Sequence, residues 1–386
     1  MILPDYHGGS IVNLMASLIQ GLGGAATPYP PLAALPPAQL SEARNVVLLV
    51  VDGLGHHHLV HGGAAGHLQR HLQGRITSVF PSTTATAIPT FLTGLAPQQH
   101  GLTGWHMYFR ELGAVAAVLP FKARHGGQTL KEAGVNPVAL LAPAPIFDRL
   151  TAHTHVVSPQ RIVHSDFNLA YSGHAHRHGY ATLEQMFDTL RDILRGSAER
   201  KYLYAYYTGL DGLAHEYGVE SREVAACLAE LDAAFGRFLA AAAGSDSLII
   251  VTADHGFTDS GAESLIELSD HPQLAETLVL PLCGERRVAY CYVHPDKAQQ
   301  FEHYVHAELA GRAMLFNSAT LVERGYFGLG APHPQLLSRI GHYTLIMQQN
   351  YALKDWILGE RRYRQIGVHG GMSAREMYVP LIVASA

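Results

Sequence analysis

Six side chains of this sequence are oxygen or imidazole donors placed just past, or close to, runs that read as strands: Asp52, Asp211, His215, Asp254, His255 and His369. Asp211 and His215 are four apart, so on a helical turn they share a face and can grip one ion. With no thiolate among them, the donors suit zinc best, with manganese, cobalt or iron as further choices. A hydroxyl cluster, Ser82, Thr83, Thr84 and Thr86, follows Pro81 and opens a small, helix-compatible stretch closed by Gly94. A threonine hydroxyl is a poor nucleophile until something lowers its pKa, and a metal ion can do that. Six donors and one hydroxyl are enough for two ions, each left with an open position. Two cations about 4 Å apart form a clamp for in-line displacement at phosphorus.

Taken singly, each signal has a plainer reading. An Asp after a strand is often a helix N-cap, Asp-x-x-x-His is often a surface pair, and Asp-His-Gly can be a turn. Most of the 25 histidines, such as His56 to His58 or His174, His176 and His178, read as solvated loop residues. The six donors stand apart because all fall at the same edge of one inferred sheet.

The elements that must position them follow from patterning. Asn45 to Val51 is a continuous, largely β-branched run of the kind that is covered on both faces in a parallel sheet, and Asp52-Gly53 follows at once. Tyr202 to Tyr207, Ser247 to Thr252 and Tyr378 to Val383 read as further strands. Ile76 to Phe80 is a β-prone run ended by Pro81. Strand, hydroxyl-rich turn and helix start would present one hydroxyl at the carboxyl edge of the sheet, with the amides of the first helical turn facing an anion. Apolar residues spaced three and four apart predict helices over Leu183 to Leu194 and Glu223 to Ala242. Alternating strand and helix gives a doubly wound, mostly parallel α/β sheet flanked by helices.

Residues 284–326 break that rhythm and read as strand, helix, strand, helix. They predict a small inserted α+β cap, with 1–283 and 327–386 forming the catalytic α/β domain. The Gly/Pro-rich residues 1–44 read as an irregular wrap over the surface.

Length and composition bound the rest. A chain of 386 residues that is 48% apolar and 15% charged is globular. A net charge of −5 without a block of like charge argues against a nucleic-acid polymer as partner. Three cysteines, Cys227, Cys283 and Cys291, make no disulfide framework and no Cys-x-x-Cys zinc pattern. No basic n-region with a cleavage site opens the chain, and no apolar run would span a bilayer, so a cytoplasmic location is expected.

The motifs in order resemble those of the type I phosphodiesterase/nucleotide pyrophosphatase family of the alkaline phosphatase superfamily. They are Asp52-Gly53, Phe80-Pro81-Ser82-Thr83-Thr84, Thr93-Gly94-Leu95-Ala96-Pro97-Gln98-Gln99-His100-Gly101, Asp211 to His215, Asp254-His255-Gly256 and His369-Gly370. The resemblance spans residues 46 to 383 and implies an alkaline-phosphatase-like fold. It implies Thr84 as nucleophile, one metal held by Asp52, Thr84, Asp254 and His255, and a second held by Asp211, His215 and His369. Two divalent ions, zinc first and manganese second, would serve hydrolysis of a small phosphate ester or nucleotide-like substrate. The route would pass through a phosphothreonine, with net retention at phosphorus. His100 reads as structural support for its loop.

The chain departs from the family after the nucleophile. Thr84 is followed by Ala85, Thr86 and Ala87, with proline delayed to Pro89. By spacing, Trp105 takes the place of an Asn that donates to a phosphate oxygen in nucleotide-cleaving members. Its indole can donate one hydrogen bond. His106 could serve instead, and Trp105 and Tyr108 could stack on a base or leaving group or pack beneath the cap. Arg110 and Arg124 could meet a substrate anion or sit in ion pairs. The leading reading is a two-metal phosphodiesterase. The alternatives are a phosphomonoesterase on the same scaffold and a metal- or anion-binding protein without catalysis.

Overall fold

The run Asn-Val-Val-Leu-Leu-Val-Val forms the Asn45–Val51 strand, and all seven of its residues are buried. A strand with no exposed face must lie inside a sheet covered on both sides. A computed structural model of the chain, which describes residues 1–63, 66–142 and 144–386, places it at the centre of a seven-stranded sheet. The order is Leu72–Thr77, Tyr378–Ser385, Ser247–Thr252, Asn45–Val51, Lys201–Tyr207, His153–Pro159, His176–Tyr180. The last five strands of that order run parallel. Tyr378–Ser385 runs antiparallel between Ser247–Thr252 and Leu72–Thr77. Helices Leu183–Gly196 and Arg222–Ala242 bury the apolar stripes that their spacing predicts. The fold is the expected α/β class, a largely parallel sheet flanked by helices.

Register delivers the site. Val50 pairs with Thr252 and Val51 with Tyr207. Asp52 and Asp254 each lie two residues past the Val50–Thr252 pair, so they leave the sheet side by side. Helix Gly209–Tyr217 starts just beyond Tyr207 and carries Asp211 and His215 on one face.

Two expectations from the sequence are corrected. The edge strand ends at Thr77, because Tyr378 is its last partner; Ser78 to Pro81 form a loop instead. Phe80 of that loop is buried against Tyr326 and Phe327, with ring centroids 5.5 and 5.1 Å away, which anchors the chain just before Thr84. Residues 1–44 are not only an irregular wrap. Ile11–Gly21 is a helix buried everywhere except Gln20. Its two buried polar residues, Asn13 and Ser17, hold the proline-rich wrap around it. Asn13 Nδ2 donates to the carbonyls of Tyr6 and Pro30, and Ser17 Oγ accepts from Leu32 N at 2.9 Å.

A second, antiparallel sheet stands over the carboxyl edge. Its order is Ala313–Asn317, Tyr343–Met347, Val288–Cys291, Cys283–Gly284, His106–Phe109, Ala114–Ala117, Lys122–Ala123. Residues 284–326 supply two of these strands and the helices Ala298–Glu308 and Ser318–Glu323. The remaining strands come from 106–123 and 343–347, and Cys283–Gly284 straddles the segment's start. No helix of the described residues is long and apolar enough to cross a membrane.

One buried ion pair ties the two sheets together. Arg287 Nε and Nη2 donate to Glu376 Oε1 and Oε2, both at 3.1 Å, and both side chains are almost wholly buried. Glu376 Oε1 also accepts from Gly371 N at 2.8 Å, two residues from His369. Burial pushes the Glu376 carboxyl up, but Arg287 and the hydrogen bonds from Ser373 and Gly371 outweigh it and hold the carboxyl below its usual range. A carboxyl with a depressed folded pKa stabilises above its unfolded value near pH 4.3 and loses that contribution as pH falls through the folded value. Glu376→Gln strands a buried guanidinium, so it is expected to destabilise by about 3–5 kcal/mol at neutral pH. Urea denaturation read by tyrosine and tryptophan fluorescence checks this, and the loss should shrink below pH 4.

Candidate active site

Thr84 is the first residue of helix Thr84–Thr93, which ends at Gly94 in the left-handed region, φ 70°. The positive end of the helix dipole and its unpaired amides therefore lie at the Thr84 hydroxyl. The neighbouring hydroxyls are all engaged. Ser82 Oγ donates to Gly371 O, Thr83 Oγ1 to Glu285 Oε1 at 2.8 Å, and Thr86 Oγ1 to Thr83 O at 2.9 Å. Thr84 Oγ1 instead faces the predicted donors, 3.1 Å from His255 Nε2 and 3.4 Å from Asp52 Oδ1.

The structure brings all six predicted donors to this point. His255 Nε2 lies 3.4 Å from both Asp52 Oδ1 and Asp254 Oδ2. His215 Nε2 lies 3.3 Å, and His369 Nε2 3.9 Å, from Asp211 Oδ1. The rings of His255 and His369 stack with centroids 3.7 Å apart. Two groups, Asp52–Asp254–His255 and Asp211–His255–His369, each offer ligand atoms within 4.8 Å of one another. Gly53 must be glycine for this packing. Its φ is +77°, and a Cβ there would come within 2.4 Å of the Phe257 ring. Its amide donates to Asp254 Oδ1 at 3.0 Å, as does that of His255.

The charges need a partner that the protein itself does not supply. Burial raises the Asp52 carboxyl well above its usual range, and the charges of Asp211 and Asp254 add to that. Burial also raises Asp211, against the pull of His215 and His255. Burial, with His255 and His215 close by, holds His369 well below the ordinary imidazole value, so it is neutral at pH 7. Asp211 Oδ1, Asp254 Oδ2 and His369 Nδ1 are buried and have no hydrogen-bond partner among the described residues. Asp211 Oδ1 and Asp254 Oδ2 approach imidazoles closely, but not in hydrogen-bonding geometry. His255 Nδ1 faces Gly256 O at 3.1 Å, and His215 Nδ1 faces Gly367 O at 2.8 Å. Those carbonyls take the ring N–H and leave Nε2 a free lone pair, the arrangement of metal-ligating histidines. The donor set fits hard or borderline divalent cations.

Two cavities meet at Thr84. One, of about 230 Å³, is the more polar of the two and is lined by Glu285, Arg286 and Lys354 as well as Thr84, Asp211 and His369. The other, of about 420 Å³, is largely apolar and is lined by Ile88, Leu92, Phe167 and Tyr204 as well as Thr84 and Asp52. Trp105 borders both and is 38% exposed, standing between them at the rim. Its backbone N–H donates to Glu285 Oε1 at 2.7 Å. His106 lines the polar cavity, where burial and the nearby Arg124 and Lys354 push it down to about 3, so it is neutral. Tyr108 lines neither cavity. It lies two residues along the strand, about 7 Å further on, and its ring packs edge-on against Tyr292 at 5.3 Å. His100 supports its loop: Nδ1 accepts from Leu102 N at 3.1 Å and Nε2 meets Thr90 Oγ1 at 3.3 Å. Arg124 is held inside by Asp355 and Glu360 at 2.7 and 3.0 Å.

Sequence reasoning missed three side chains here. Tyr206 donates its hydroxyl to Asp52 Oδ2. The alternation Tyr202, Tyr204, Tyr206 puts all three on one face of their strand and could have pointed to it. Glu285 props both Thr83 and Trp105, and burial raises its carboxyl to about 7 against the hydrogen bonds from those two residues. Arg161, exposed at the mouth of the apolar cavity, donates to Thr208 Oγ1 at 3.1 Å.

The family model for type I phosphodiesterase / nucleotide pyrophosphatase matches residues 46–372. Murine ectonucleotide pyrophosphatase / phosphodiesterase 5 superposes with a TM-score of 0.67 at 15% identity, over 87% of each chain. The human protein of that name gives 0.66 at 16% identity, over 88% of this chain and 87% of that one. Phosphonoacetate hydrolase from Sinorhizobium meliloti 1021, in complex with phosphonoformate, gives 0.63 at 18% identity, over 89% and 90%. No curated protein matches significantly. The chain belongs to the type I phosphodiesterase/nucleotide pyrophosphatase family, within the alkaline phosphatase superfamily, and is a hydrolase of that kind.

Proposed function

We propose that the protein hydrolyses a small phosphodiester or nucleotide-like phosphate ester, with Thr84 as the nucleophile. The observation that carries this is one hydroxyl at a helix N-terminus facing six metal-type donors where two cavities join. Asp52, Asp254, His255 and Thr84 would hold one divalent cation, and Asp211, His215 and His369 a second. Such a pair, zinc or manganese by donor type, supplies a lowered pKa at the Thr84 hydroxyl and neutralises charge on the phosphoryl oxygens. The protein's own groups do the rest. The helix N-terminus adds positive potential at the phosphoryl group. Thr84 Oγ1 forms the bond to phosphorus as the leaving oxygen departs, giving a phosphothreonine, and water then releases it. Tyr206 holds Asp52 in place, and the stacked His255 and His369 rings keep the two ligand groups in contact.

A diester is favoured over a monoester because space lies on both sides of Thr84, one side apolar and the other polar. A monoester carries one organic group and would leave one cavity empty. The second sheet, with 284–326 within it, would act as the cap that walls the polar side. Three free, buried cysteines are in keeping with a reducing, cytoplasmic setting.

Turnover of bis-p-nitrophenyl phosphate by zinc- or manganese-reconstituted protein should exceed that of p-nitrophenyl phosphate roughly tenfold or more, a preference of about 1.4 kcal/mol. A chelated control should be inactive. The reverse preference would make the enzyme a phosphomonoesterase.

A further inference from the structure

The polar cavity holds cationic groups that the chemistry at Thr84 does not use. Arg286 lies in its wall, and Nη1 and Nη2 of the guanidinium are buried without a hydrogen-bond partner among the described residues. Trp356 Nε1 is buried and unpartnered in the same way. Lys354 is buried as well, makes no side-chain hydrogen bond among the described residues, and comes only within 3.7 Å of Glu360. The three groups form one cluster. The Trp356 ring lies 5.7 Å from the Arg286 guanidinium carbon and 4.8 Å from Lys354 Nζ, and the Tyr363 ring lies 5.1 Å from the same guanidinium.

The local charges do not cancel. Arg124 already donates to both Asp355 and Glu360, at 2.7 and 3.0 Å. Against these two carboxylates stand three cations: Arg124, Lys354 and Arg286. Two further acids line this cavity: Asp211, which faces His215 at 3.3 Å on the Thr84 side, and Glu285, whose carboxyl is raised to about 7 by burial, so it only partly offsets the cations at neutral pH. Burial and the charge of Arg124 lower Lys354 to about 8, which marks an ammonium short of acceptors. Glu267, on the far side of Arg286, is engaged by Arg362 at 3.4 Å. Buried donors of one sign without acceptors call for an anion, and a guanidinium flanked by aromatic rings suits a planar or tetrahedral oxyanion.

We propose that Arg286 and Lys354 form a second anion-binding subsite, which takes a carboxylate or phosphoryl group that the substrate carries beyond the bond broken at Thr84. This rests on the hydrolase reading above, because it is the shared cavity that links the subsite to Thr84. It narrows the substrate to an ester with a second negative charge on its polar side, while the apolar cavity takes an uncharged group.

The test is calorimetric titration of the 386-residue chain with two probes, inorganic pyrophosphate for the phosphoryl arm and malonate for the carboxylate arm. Each is run on the wild type, Arg286→Met, Arg286→Lys and Lys354→Met. Anion bound at the metal ligands is common to all four proteins and cancels in the comparison. The Met variants are expected to bind at least one probe roughly tenfold or more weakly, with Arg286→Lys between them and the wild type; the probe affected names the anion. Equal affinity of wild type and all variants for both probes overturns the subsite. If Arg286→Met fails to fold, Lys354→Met decides. Variant-dependent binding in a protein that does not turn over bis-p-nitrophenyl phosphate keeps the subsite and removes the hydrolase reading; turnover with variant-independent binding does the opposite.

Discussion

Thr84→Ala is expected to lower the turnover of bis-p-nitrophenyl phosphate on the order of 10³-fold or more while leaving the metal content unchanged. The size of the loss follows from the neighbours. Ser82, Thr83 and Thr86 each give their hydroxyl hydrogen to a fixed acceptor, so none is free to take over. Thr84 Oγ1 is the hydroxyl of this cluster that meets Asp52 and His255. The other donors remain in the variant and still offer their atoms to cations. Thr84→Ser keeps an oxygen at the same place and should recover most of the loss. Steady-state kinetics with metal analysis by mass spectrometry reads both quantities. Turnover within about tenfold of wild type would place the nucleophile elsewhere, and would return the cavity to a site that binds anions without catalysis.

Asp254→Asn is expected to change stability in opposite directions with and without metal. In the metal-free protein, buried Asp52 and Asp254 crowd together with the partly buried Asp211, and Asp254 Oδ2 has no partner among the described residues. An asparagine removes one charge, keeps an oxygen for the amides of Gly53 and His255, and relieves Asp52 and Asp211. The chelated variant should therefore melt at or above the chelated wild type. Added zinc should stabilise the wild type by about 4 kcal/mol once free metal exceeds its Kd a thousandfold. The variant should lose a large part of that gain, together with most of its activity, because a neutral amide is a poor ligand for a borderline cation. Thermal melts in chelator and in a zinc series check both halves. An equal metal-dependent shift in the two proteins would show that Asp254 holds no ion.

The site was legible in the sequence because five of its six donors lie in or just past an unambiguous element, while His369 follows only the two-residue strand Gly367–Val368. Asp52 follows a run of seven buried residues, and Asp254 lies two residues past Ser247–Thr252, in matching register. Asp211 and His215 sit at helical spacing. Less regular pieces hid themselves. Ile11–Gly21 is buried on nearly every side, Asn13 and Ser17 included, and the prolines that wrap it suggested loop. Strands such as Cys283–Gly284 and Lys122–Ala123 are two residues long, too short to show an alternating pattern. Arg286 and Lys354 gave no signal at all, because an isolated cation has no spacing rule. Only the folded chain places them on one ring of Trp356.

The Arg287–Glu376 pair sets a rule for engineering this scaffold. Arg287 follows Glu285 and Arg286 directly in the chain, while Glu376 fastens the loop that bears His369. Anyone who swaps residues 285–287 for those of a homologue exchanges Arg287 too, and so unpins the loop of His369 on the other layer. A chimera must carry the guanidinium across unchanged, or replace both members together with apolar residues of matching volume.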